Sequence, residues 1–149
     1  MKNSTVRNVF LVVATLALGA SAFAQPGTVE RQKRLQDLTM ENFRYGLKSD
    51  VQGVVEGILY DVVLYKKYYP DLDYNGIVNR LNDLAVSGKT PQIRYKAHLA
   101  SMFFSAVDHI SVEPSENPYD QDAVFRQIAE QLEKSLLSSN LEGTTPSTR

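Results

Sequence analysis

Apolar residues recur at three- and four-residue spacing along nearly the whole chain beyond residue 28, and the period-two alternation of a strand is scarce. That rhythm predicts an all-α protein whose helices stop at recognisable punctuation. A first helix is read over Val29 to Leu47, with Met40, Phe43 and Leu47 on one stripe and Leu35 and Leu38 off it. Ser49-Asp50-Val51-Gln52 has the form of a capping box. It opens a second helix whose broad apolar face is Val51, Val54, Val55, Ile58, Leu59, Val62 and Val63, and which Pro70 ends. Gly53 and Gly57 inside that helix each cost up to about 1 kcal/mol relative to alanine, which predicts another helix packed close over them.

The punctuation continues with Asp73 as N-cap of a third helix that turns Ile77, Leu81 and Leu84 inward and stops at Ser87-Gly88, with Gly88 as a left-handed terminator. Thr90 then caps a fourth helix with Pro91 at its first position. That helix is read to Asp108, with Ile93, Ala97, Ala100, Phe104 and Val107 inward. Ser111 to Asp120, which holds Pro114 and Pro118, is the longest internal loop. A fifth helix over Gln121 to Leu137 presents Val124, Phe125, Ile128, Leu132 and Leu136, and residues 138–149 are read as a disordered tail.

Residues 1–24 read as an export signal. Lys2 and Arg7 form a positive start, Val9 to Ala20 an apolar stretch, and Ala22-Phe23-Ala24 a small-x-small cleavage site. Residues 9–24 are shorter than the roughly 20 that span a bilayer, so no stable membrane anchor is expected after cleavage. Removing Lys2 and Arg7 with the leader takes 16 basic and 17 acidic side chains to 14 and 17. A modestly acidic chain does not suit a protein that coats nucleic acid. Absence of cysteine removes thiol nucleophiles, zinc–thiolate sites and disulfide frameworks together. Export without disulfides points to a bacterial periplasmic or extracellular protein held by its core alone.

Two stretches of the chain echo each other. Ser49 and Thr90 lie 41 residues apart, and the same offset places Met40 and Phe43 on Leu81 and Leu84, although Gln36 falls on Ile77. An offset of 42 places Val51, Val55, Ile58, Val62 and Tyr65 on Ile93, Ala97, Ala100, Phe104 and Val107. Two helices per period near 40 is the pattern of a HEAT-type solenoid. Ser87-Gly88-Lys89-Thr90-Pro91-Gln92-Ile93-Arg94 and the alanines that follow resemble the turn and second helix of a HEAT repeat, with Gly88 near the place of the family's usual aspartate. The resemblance covers about Met40 to Val107 and implies helical hairpins stacked as a short HEAT-like array. A five-helix bundle over residues 25–137 is the other architecture the pattern allows.

Catalytic chemistry is thinly represented. His98 and His109 are the only histidines, and neither has a metal-ligand spacing. His98 reads as a flank residue, and His109 as a residue facing the C-terminal helix dipole. No Gly-x-Ser-x-Gly elbow or glycine-rich phosphate loop is present. Glu56 and Asp61 diverge at five residues apart. Asp71, Asp73, Asn75 and Gly76 match the start of a calcium loop, but Asn82 stands where a bidentate glutamate is needed. Arg31, Lys33 and Arg34 read as solvated charge.

What remains is a run of Tyr60, Tyr65, Tyr68, Tyr69 and Tyr74 interleaved with Lys66 and Lys67. Tyr65 and Tyr69 finish the apolar stripe of the second helix, leaving Tyr60, Lys66, Lys67, Tyr68 and Tyr74 as a candidate contact surface. The expectation is an exported, non-enzymatic module that binds a protein partner, with neither cofactor nor metal. The alternative is a small ligand held in a tyrosine-lined groove between helices.

Overall fold

A computed structural model describes residues 26–106, 109–117 and 119–142. The leader reading on residues 1–24 lies outside them, as does the tail beyond residue 142. Five helices make up the described architecture: α1 (Pro26–Gly46), α2 (Gln52–Tyr68), α3 (Asn75–Ser87), α4 (Pro91–Ser105) and α5 (Asp122–Glu142). No strand occurs among the described residues, and the fold is all-α.

Contacts divide the chain after Gln36. In the first unit the described residues are the opening turns of α1, where Arg31, Lys33 and Arg34 are exposed. The second unit holds the core. There α1 contributes Met40, Phe43 and Leu47, all buried, while Leu38 stays exposed, as the stripe required. Residues Gly46 and Ile58 touch, and so do the rings of Phe43 and Tyr65. Pairs that close symmetrically about the intervening turn make residues 37–46 of α1 an antiparallel hairpin with α2. The hydroxyl of Ser101 donates to the side-chain oxygen of Asn82 at 2.5 Å and the rings of Tyr74 and Phe104 meet at 5.2 Å, pairs that close about the α3–α4 turn and make these two helices antiparallel in the same way.

Helix α4 is central and packs on α2, α3 and α5. Its small residues Ala97 and Ala100 are fully buried and let neighbouring backbones approach. Ion pairs join Asp50 to Lys89 and Glu56 to Lys96. Partners at a near-constant separation in sequence mean that α2 and α4 run parallel. Arg80 Nε donates to the carbonyl of Leu47 at 3.1 Å, tying α3 to the end of α1.

Several helix ends differ from expectation. Helix α2 starts at Gln52 with Val51 as cap and no side-chain cap bond. Ser49 Oγ instead accepts from Val51 N at 3.1 Å, and Gln52 Nε2 donates forward to Glu56 Oε1 at 2.6 Å, so no capping box forms. Val51 and Val54 are exposed, which narrows the inward face to Val55, Leu59, Val62 and Val63. Asp73 Oδ1 accepts from Asn75 N at 2.9 Å, one position before the cap, Tyr74. The Thr90 cap forms as read, its hydroxyl accepting from Ile93 N at 3.2 Å with Pro91 at the first position. Helix α4 ends at Ser105, so His109 follows the helix rather than ending it. Val107 and Asp108 lie outside the described residues. Helix α5 continues through Ser138 to Glu142, into the stretch read as tail.

Glycine placement corrects two readings. Gly88 is not left-handed, having φ −58° and ψ 142°. It is there because an added Cβ would lie 2.6 Å from Leu84 O and 2.8 Å from Ile93 Cγ2. No neighbour comes within 4 Å of a Cβ placed on Gly53 or Gly57, so neither marks a close helix contact. The close approach of α1 to α2 is made by Gly46, whose added Cβ would lie 2.5 Å from Ile58 Cγ1. Substitutions should therefore split by sign. Gly88→Ala forces overpacking and should lose about 2 kcal/mol, whereas Gly53→Ala and Gly57→Ala should each gain up to about 1 kcal/mol. Urea midpoints of the three variants check this.

Candidate functional site

The five residues nominated from sequence do not share one environment. Tyr74 is buried at the start of α3 rather than on a surface. Its hydroxyl lies 2.9 Å from the carbonyl of Tyr69, just past α2, and 3.2 Å from that of Tyr65, which also accepts from Tyr69 N. Its ring packs edge-on against Phe104 at 5.2 Å. Burial, reinforced by the neighbouring Tyr65 and Tyr69 hydroxyls, pushes its phenol well above the ordinary tyrosine range. Lys66 also belongs to this corner, donating to Pro70 O at 2.6 Å while its ammonium sits 4.9 Å from the centre of the Tyr74 ring. These two side chains hold the α2–α3 connector. Tyr60 is half-buried against the core.

Tyr68 faces outward, and Lys67 lies half-buried beside it. The Tyr68 side chain is 57% exposed, and the Lys67 ammonium lies 5.2 Å from its ring centre. Lys67 also pairs with Glu113 at 2.5 Å across to the α4–α5 connection. Tyr69 is exposed beside them, its ring 4.6 Å from that of Tyr65, which in turn packs on Phe43. Sequence reasoning put Tyr69 wholly within the stripe. Its position at the C-terminal edge of α2 leaves one side of the ring in water.

Lys67 also lines a cleft of about 270 Å³ with Phe103, His109, Val112 and Gln131. A second, of about 230 Å³, is lined by Tyr95, Lys96, Asp122, Phe125 and Arg126. Neither Tyr60, Tyr68 nor Tyr74 lines these two clefts. His98 and His109 are exposed. Among the described residues no three acidic or histidine side chains converge as a metal-holding group.

Two polar arrangements went unread in the sequence. The first is Lys96, buried among α2, α4 and α5 and paired with Glu56 Oε2 at 2.7 Å and Asp122 Oδ1 at 2.6 Å. Burial opposes its charge, yet hydrogen bonds and attraction from Asp122 and Glu56 prevail and hold its pKa above the usual lysine value. A signal was available, since residue 96 falls three beyond Ile93 and four before Ala100, on the apolar stripe.

The second arrangement lies in the α4–α5 connection, where Ile110 and Val112 are buried and Ser111 and Glu113 exposed. Gln131 Oε1 accepts from Ser111 N at 2.9 Å, and its amide nitrogen donates to Ser111 O at 2.5 Å. Gln127 does the same for Glu113, at 2.8 Å to the N–H and 3.0 Å to the carbonyl. A short apolar–polar alternation at Ile110-Ser111-Val112-Glu113 was the only trace of this in the sequence. Comparison with protein families, with curated proteins and with solved structures gives no match for this chain.

Proposed function

We propose that this is an exported, non-enzymatic protein of HEAT-like helical hairpins that acts as a protein-interaction module in the bacterial envelope or outside it. The observation that carries the reading is the pairing of exposed Tyr68 with Lys67, with Tyr69 exposed beside it, at the end of α2. A tyrosine ring held against a cation offers a large, rigid apolar face with polar edges, the composition favoured at interface centres. The export signal supports the location. The two antiparallel hairpins, with α2 parallel to α4, support the repeat reading. The first hairpin also leaves Val51 and Val54 uncovered, as the end of a stack would.

Tyr68→Ser is the cleaner probe, because Tyr60 packs on the core and its replacement would also lower stability. Immobilised wild-type protein should retain an envelope partner that the Tyr68→Ser variant loses, with melting temperatures that agree within about 2 °C. Equal retention by both would remove this surface. A groove that holds a small ligand has less support, because the two clefts are lined by Lys67 and by Tyr95 rather than by the nominated tyrosines.

A further inference from the structure

The glutamine pair of α5 does something that core packing does not require. Each carboxamide satisfies both the N–H and the C=O of one residue in an extended segment, as a neighbouring strand would. The repeats match. Residues four apart on a helix are separated by about 6 Å along its axis, and residues two apart on a strand by about 6.6 Å. Gln127 and Gln131 therefore present their amides at nearly the spacing of alternate peptide groups. Gln131 Nε2 also donates to the carbonyl of Gln127 at 3.2 Å, which orients the outer amide. Side chains at the alternating positions go to different places. Ile110 and Val112 enter an apolar floor, and Glu113 meets Lys67.

We propose that this face of α5 is a binding site for the backbone of an extended peptide, filled here in cis by Ile110–Glu113 and available in trans to a partner segment of the pattern apolar–any–apolar–acidic. Three observations favour a partner peptide. All four amide contacts lie in exposed surroundings, where water competes for them. Glu113 is largely exposed on its side of the ion pair. The cleft of about 270 Å³ beside Val112, between Phe103 and Gln131, is left unfilled by the cis segment and offers a longer peptide more contact. The proposal rests on the interaction reading and deepens it by naming a partner chemistry at an adjoining place that shares Lys67 but not Tyr68. Tyr68→Ser, which tests the first surface, should leave it unchanged.

The probe is a fluorescent peptide carrying Ile-Ser-Val-Glu-Pro, titrated by anisotropy into the full chain. Ile110→Ser with Val112→Ser weakens the cis occupant and should tighten peptide binding at least tenfold over wild type. Adding Gln127→Glu and Gln131→Glu should abolish that binding, because each glutamate lacks the donor that meets a carbonyl. A peptide with lysine in place of the glutamate should bind more weakly. A cis-weakened variant that stays helical and melts cooperatively yet binds no peptide overturns the proposal. So does a wild-type dimer in which one copy's segment lies on α5 of another, detected by its mass and lost on Ile110→Ser with Val112→Ser. Should that variant fail to fold, hydrogen exchange of the wild-type chain with excess peptide decides. Faster exchange at the Ser111 and Glu113 amides supports displacement, and unchanged exchange overturns it.

Discussion

Replacing Lys96 by methionine should lower stability by about 3 kcal/mol, the lower end of the range for removing one partner of a buried ion pair. The lower end applies because the two carboxylates differ. Asp122 is about half exposed and regains water, whereas Glu56 is largely buried and keeps a contact from Gln52. Replacing both sides, with Lys96→Met and Glu56→Leu together, should recover much of the loss, since no charge is then left buried alone. Urea unfolding of the two single variants and the pair measures the coupling. A loss below about 1 kcal/mol for Lys96→Met would show that Glu56 finds water without the lysine.

The pH dependence of that difference has a definite sign. The folded protein holds the Lys96 pKa above its unfolded value, so the contribution is complete below about pH 10.4 and is lost as pH rises through the folded value. Wild type and Lys96→Met should converge only in alkali. Tyr74, also raised, acts in the same direction from about pH 10 upward.

Phe103→Ala should cost about 4 kcal/mol and lower the melting temperature by about 15 °C. Phe103 is 1% exposed on the central helix, and its ring stands 6.3 Å from that of Phe104, at right angles to it. Truncation removes packing from the helix that touches α2, α3 and α5, and the neighbouring side chains are fixed by those contacts. The void would open toward the cleft beside Ile110 and Val112. Entry of water there should hold the loss near the middle of the usual range rather than at its top. Calorimetry checks it. Phe104→Ala, at a half-buried ring, should cost clearly less.

Helix content and most of the core were legible because period and punctuation agree along this chain. Met40, Phe43 and Leu47 on α1, and Ile77, Leu81 and Leu84 on α3, are buried as their spacing required. Thr90-Pro91 opened α4 where it should. The misses share a physical cause, which is that spacing alone does not say which neighbour covers a face. Leu99 and Phe103 are buried although a single stripe on α4 omitted them, because α4 is covered from three directions. Val51 and Val54 were placed inward but have no helix over them. In the candidate site Tyr68 lies exposed at the end of α2, with Lys67 half-buried beside it. The burial of Tyr74 was not legible, because it depends on the carbonyls of Tyr65 and Tyr69 brought to it by the α2–α3 turn.

The glutamine contacts also bear on how this chain can drift in sequence. An amide that meets peptide groups reads no side chain, so residue 111 is free to change so long as it stays extended. Residues 127 and 131 have no such freedom. Each must donate and accept at once, at glutamine's reach, and glutamate or leucine fails one or both requirements. Two surface glutamines would then be among the slowest positions to vary, ahead of several members of the core, where one apolar side chain can stand in for another.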